Sequence, residues 1–252
     1  MITQLKAEFR KLLSVRSTYV ITGLVALLVI FVAFYLEGWR LSPAALHDPN
    51  QLAGDVTGGL TTTVFGAIVA ILLVTHEYRY NTIIYSLTAS NSRSKILLAK
   101  FVTVSAYALF LTVLIGVLSP VMAYLGVHAH GHTLVPQVLH HWNLAWRSMF
   151  YGWGYAMAGF ILALTTRNQI ASIVSLFLIP SLVEQLLGGL LLKHNSVYMP
   201  FSSLFQVLNG PGTAGAPTSS TLSPIRAAGV YCIYLVIGWI VAWVLFLKRD
   251  AN

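Results

Sequence analysis

Apolar and polar positions fall in long blocks along this chain rather than alternating residue by residue. Runs rich in Leu, Val, Ile, Ala and Phe cover Thr18–Leu36, Gly58–Val74, Leu97–Tyr124, Trp146–Thr165, Ile170–Leu192 and Ala227–Leu247. A helix needs about 20 residues to cross the hydrocarbon core of a bilayer, and each run approaches or exceeds that length. A segment in lipid must satisfy its own backbone hydrogen bonds, so each run is expected to be a helix. Before the first run, Ile2, Leu5, Phe9 and Leu12 recur at helical spacing, while Lys6, Glu8, Arg10 and Lys11 take the other face. That periodicity predicts an amphipathic helix over 1–16, lying in the interface before the chain turns into the membrane. The predicted class is all-α: a polytopic membrane protein with six transmembrane helices in one membrane domain, 1–252.

The polar interruptions define the connections. His76–Lys100 holds Glu77, Arg79, Arg93, Lys95 and Lys100 in a chain that is only 9% charged. Within it, Thr82–Ala89 has the length for two turns of helix across the membrane surface, and 76–96 reads as a cytosolic elbow between spans two and three. Only Thr166, Arg167, Asn168 and Gln169 join spans four and five, which makes those helices antiparallel neighbours. Pro120 predicts a kink or early exit in the third span. Glu37–Val56, with Pro43 and Pro49, reads as irregular. Over 193–224 the chain first offers a short re-entrant or interfacial helix, Val197–Leu208, and then a Gly/Pro/Ser/Thr-rich loop.

Composition removes the soluble class: hydrophobic residues make up 57% and the mean hydropathy is +0.76. With the N-terminus inside, eleven of the fifteen Lys and Arg fall on inner segments and four (Arg40, Arg147, Lys193, Arg226) on outer ones. This bias predicts a multi-pass protein with both termini cytosolic. It also accounts for the formal charge of +8 through loops facing anionic lipid, so nucleic acid is not expected as a partner. The single cysteine, Cys232, excludes a disulfide framework within one chain. Met1–Arg16 is too charged for a cleavable signal peptide. No Gly is followed by Lys-Ser or Lys-Thr, so the phosphate-cradling loop of ATPases is missing.

Several stretches, in order, resemble the permease subunits of ABC-2 type transporters, particularly the short actinobacterial-style ones. They are AEFRKLLSVRSTY (Ala7–Tyr19), EYRYNTI (Glu77–Ile83), SRSKILLAK (Ser92–Lys100), YMPF (Tyr198–Phe201) and LKRDA (Leu247–Ala251). The resemblance covers nearly the whole chain. It implies a bacterial plasma-membrane exporter half, in which Glu77, Arg79, Thr82, Ile83, Ser92 and Arg93 couple the elbow to a separate ATPase. A second permease copy or a paralogue would complete the pore. ATP and Mg would then bind the partner, with no cofactor and no catalysis on this chain. The cargo class is an amphipathic or lipid-like molecule, a drug or a peptide. The family usually carries a proline near Ser92, where this chain has Asn91-Ser92-Arg93, so entry into the third span differs here. Two alternatives remain: a non-transporting membrane component of a signalling or immunity complex, and an intramembrane enzyme.

Glu184 is the lone acid inside a span, four residues after Pro180. A charge at that depth is costly unless partnered, so it marks either a functional group or a neutral or vestibule-facing side chain beside a broken helix. Tyr151 and Tyr155, with Trp153 between them, are candidates together with Glu184 for a substrate path; packing is the other reading of the aromatic residues. His128, His130 and His132, followed by His140 and His141, offer imidazoles to Zn²⁺ or Cu²⁺, but no Cys or carboxylate accompanies them. A solvated outer loop is the other reading. Small residues at Gly66/Ala70, Gly152/Ala156 and Gly154/Ala158 permit close helix approach.

Overall fold

The computed structural model describes residues 2–40, 64–80, 82–84, 92–131, 142–208 and 222–248. Among the described residues every element is helical. The chain begins with α1 (Ile2–Ser14) and α2, a helix over Arg16–Trp39 whose last part, Val32–Trp39, is π-helical. Next come α3 (Val64–Arg79), α4 (Arg93–Ala129) and α5 (Trp142–Thr166). The helix α6 covers Gln169–Leu192, α7 is Pro200–Leu208 and α8 is Pro224–Lys248.

Four of these helices are long and apolar enough to cross a membrane: α2, α4, α6 and α8. Their outward faces carry exposed large apolar residues such as Val20, Leu27, Leu190, Leu191 and Ile225, as lipid-facing helices must. The other two expected spans fall on α3 and α5. The described part of α3 has 16 residues, and α5, though 25 residues long, is diluted by Gly, Tyr and Trp.

These two helices form the centre of the bundle. Ala67, Ala70 and Ile71 of α3 are buried against Ala156, Phe160 and Ala163 of α5. The helices approach so closely that a Cβ on Gly159 would sit 2.9 Å from the Ala67 carbonyl oxygen. Sequence spacing identified small residues on both helices but missed Gly159 as the closest point. Around this pair, Trp239 of α8 stacks on Phe160, and Phe101 of α4 meets Phe160 edge-on and lies tilted against Trp239 with ring centroids 4.6 Å apart.

The connections follow the sequence in some places and depart from it in others. Arg167 takes a left-handed conformation (φ 53°), and Asn168 caps α6 by accepting from the N–H groups of Ile170 and Ala171 at 2.9 and 3.1 Å. The result is the tight antiparallel turn expected between α5 and α6. Pro120 does not end its helix, since α4 runs through it to Ala129 over 37 residues, about 55 Å at 1.5 Å per residue. The short helix expected after the fifth run forms as α7, starting at Pro200 rather than Val197, with Leu204 and Val207 buried. The expected irregular loop at Glu37–Val56 lies largely outside the described residues; Glu37–Trp39 still belong to α2. The Gly/Pro-rich stretch after Leu208 lies almost entirely outside them too.

Candidate functional site

The bundle gathers its scarce charges at one end, where α1, the end of α3 and the start of α4 meet. Lys100 donates to Glu77 Oε1 at 2.6 Å and to Glu8 Oε2 at 2.9 Å. Lys11 donates to Glu8 Oε1 at 2.7 Å and to Glu77 Oε1 at 2.9 Å. Two acids and two bases from three helices thus form a neutral ring of four contacts. The Lys100 side chain is 3% exposed, that of Glu77 9% and that of Glu8 11%, so the ring is largely dry. Lys11 closes it from the solvent side at 40% exposed.

Local sequence explains the inward turn of these groups. Glu8, Lys11 and Leu12 share one helical face at i, i+3 and i+4. Leu12 is buried beside Val69, Tyr107 and Leu111, which fixes the roll of α1 and brings Glu8 and Lys11 over Lys100 and Glu77. The sequence places Glu8 and Lys11 on one polar face with Lys6 and Arg10. In the structure that face is split, with Lys6 and Arg10 exposed and the other two drawn inward.

Burial would raise the Glu77 pKa, but Lys100 and Lys11 outweigh it and hold the carboxyl below its ordinary value. Burial would lower the Lys11 pKa, but Glu77 and Glu8 outweigh it and raise the ammonium above its ordinary value. Both groups are therefore held in their charged forms. Glu77 Oε2 is buried and meets no donor among the described residues. Nearby, burial and the Arg79 charge push His76 below its ordinary pKa, favouring the neutral ring.

The expected coupling residues are placed individually. Glu77 sits in the last turns of α3 and pairs with Lys11 and Lys100, not with its sequence neighbours Arg79, Arg93 and Lys95. Arg79 donates to Gln169 Oε1 at 3.5 Å, reaching the start of α6. Arg93 donates to the Leu247 carbonyl at 3.2 Å, reaching the last turn of α8. Ser92 caps α4 by accepting from the Lys95 N–H. Ile83 is buried in the main core, while Thr82 is exposed. Residues 85–91 lie outside the described residues, and with them most of the expected elbow helix.

At the opposite end, Glu184 has a specific task. Its Oε1 accepts from the Phe201 N–H, and its Oε2 from the Ser202 N–H and hydroxyl, all at 2.7 Å. The first N–H groups of a helix have no intrahelical acceptor, so this carboxylate acts as a remote cap for α7. Tyr155 performs a related repair. Pro180 cannot donate to the Leu176 carbonyl, and the Tyr155 hydroxyl does so instead at 3.3 Å. Tyr151 lies against Tyr155, whose ring meets Phe201 edge-on at 5.5 Å. The three candidate path residues are therefore brought together, but as a packed and hydrogen-bonded joint.

His128 stacks on Tyr124 and His130 meets Trp39 edge-on; His132, His140 and His141 lie outside the described residues. No group of three potential metal ligands occurs among the described residues.

Four helices long and apolar enough to cross a membrane, in an all-helical bundle, define a helical membrane-embedded protein. The chain belongs to the protein family of unknown function DUF2705, whose family model matches residues 55–251. Glu77 and Lys100 lie within that match, and Glu8 and Lys11 precede it. No curated protein matches the chain.

Proposed function

We propose that the chain is the membrane permease subunit of an ATP-binding-cassette exporter, working beside a second permease copy or a paralogue and driven by a separate ATPase. In this reading α2, α3, α4, α5, α6 and α8 are six spans, and the end bearing α1 is cytosolic. The excess of Lys and Arg on that side supports the orientation. The cargo is an amphipathic or lipid-like molecule, a drug or a peptide.

The observation that carries the reading is how the α1 end is laced together. The ion ring ties α1 to α3 and α4, Arg79 ties α3 to α6, and Arg93 ties α4 to α8. A load applied at 82–92, between α3 and α4, would reach four bundle helices through these links. That is the mechanical requirement for a motor acting from outside the membrane. Glu184 is engaged through both oxygens by α7, which weighs against its use as an intramembrane catalytic acid.

The test is co-purification with an ATPase that carries a phosphate-binding loop and is encoded beside this chain. The complex should hydrolyse ATP in a vanadate-sensitive manner, and the chain alone should not. Robust hydrolysis by the purified chain, or no complex with such an ATPase, overturns the proposal.

A further inference from the structure

Beside the ion ring lies a cleft of about 780 Å³, between α1, the start of α2 and the last turns of α3. Small-molecule sites span roughly 300–1,000 Å³, so this is room for a ligand. Its lining is graded in polarity. Lys11, Arg16 and His76, with the ring acids Glu8 and Glu77, lie at the α1 end, and Ile21, Leu72 and Leu73 lie further along the helices. Leu72 stands seven residues before the end of α3, about 10 Å along the axis at 1.5 Å per residue. The change from charged mouth to apolar floor therefore occupies the distance over which a phospholipid passes from headgroup to acyl chain.

The charges select the headgroup. Glu8 and Glu77 are matched by Lys11 and Lys100 in the ring, and His76 favours its neutral form. Arg16 is exposed, lines the cleft and makes no hydrogen bond or ion pair among the described residues. The mouth thus carries one uncompensated positive charge. The apolar floor requires a ligand with a hydrocarbon portion, since a free phosphate would leave Ile21, Leu72 and Leu73 hydrated.

We infer that this cleft binds one anionic phospholipid, with its phosphate at Arg16 and its upper acyl chain along α2 and α3. The site needs no ATPase, so its test is separate from that of the exporter proposal. The purified full-length chain is equilibrated with equimolar phosphatidylglycerol and phosphatidylcholine of matched acyl chains, and retained lipid is counted by native mass spectrometry. One basic side chain near an anionic group corresponds to a preference of about fivefold for phosphatidylglycerol. Arg16→Gln should bring that ratio close to one. Ala7→Trp, on the exposed rim of the cleft, should reduce retention of both lipids. Arg40→Gln, a surface arginine at the opposite end, should leave the ratio unchanged, and added inorganic phosphate should not displace the lipid. Equal retention by the wild type, a preference that survives both Arg16→Gln and Ala7→Trp, or displacement by phosphate alone overturns the assignment.

Discussion

Replacing Lys100 with methionine removes the most buried member of the ion ring while keeping a side chain of similar length. Lys100 is 3% exposed and holds both Glu77 and Glu8, at 2.6 and 2.9 Å. Without it, Glu77 keeps only Lys11, which is 40% exposed, and its Oε2 already lacks a donor. Breaking a buried pair by removing one partner costs about 3–5 kcal/mol, because the remaining charge stays desolvated. Lys11 is screened by solvent, so Lys11→Met should cost about 1 kcal/mol or less. Combining Lys100→Met with Glu77→Gln removes the stranded charge along with its partner. The double variant should therefore lose about 1–3 kcal/mol less than the sum of the single variants. Unfolding in mixed micelles with increasing dodecyl sulfate, followed by helical circular dichroism, measures the wild type and the four variants. A cost below 1 kcal/mol for Lys100→Met, or strict additivity in the double variant, would refute the account of the ring as a buried network.

Three further perturbations address other parts of the fold. Glu77 is held below its ordinary pKa of 4.5 and Lys11 above its ordinary 10.5. The ring's contribution should thus be complete between those values, fading as pH falls through the folded value of Glu77 or rises through that of Lys11. The micellar unfolding midpoint tracks this, and the Lys100→Met/Glu77→Gln double variant should lose much of the acid limb. Gly126→Ala would drive a Cβ into the Phe34 carbonyl oxygen and within 3.0 Å of Gly38 Cα, where only backbone is available to yield. Overpacking of that kind costs about 1–3 kcal/mol, whereas Gly116→Ala, with nothing within 4 Å, should show no such loss in the same unfolding assay. Glu184→Ala leaves the Phe201 and Ser202 N–H groups, both part-buried, without their acceptor, at about 1 kcal/mol for each donor. Amide hydrogen exchange across Pro200–Leu208 should accelerate in that variant, and unchanged exchange would remove the capping role.

Much of the helix placement is legible in the sequence because bilayer-length apolar runs and helical periodicity are local signals. The four-residue gap Thr166–Gln169 marks the turn into α6, and the periodicity of Ile2, Leu5, Phe9 and Leu12 announces α1. Pro120 and Pro180 show the limit of such signals. The same residue type is absorbed without ending the helix in α4, while in α6 it lies in a π-helical stretch and leaves a carbonyl for Tyr155. The Tyr155 hydroxyl that satisfies the Leu176 carbonyl comes from another helix, which no local pattern contains. The ion ring is illegible for the same reason. Glu8 and Lys100 are 92 positions apart, and their pairing depends on the roll of α1 set by Leu12. An amphipathic pattern distinguishes a polar from an apolar face, but it does not reveal that part of the polar face is buried against protein.

That burial changes what the charged segment can do. Under the exporter reading, an elbow pushed by a motor is easily imagined as a lever hinged at either end of 82–92. The ring makes a free hinge expensive, because moving α3 away from α1 or α4 would strand Glu77 or Lys100 in a dry environment. Such a separation has the same physical cost as deleting one partner, about 3–5 kcal/mol. Arg79 and Arg93 are linked through exposed hydrogen bonds to α6 and α8, and contacts of that kind are worth far less. The weakest joints at this end therefore lie between the α1–α3–α4 unit and its neighbours. Under that reading, a force arriving between α3 and α4 would load α1 along with them, and the exposed contacts Arg79–Gln169 and Arg93–Leu247 would yield before the ring does.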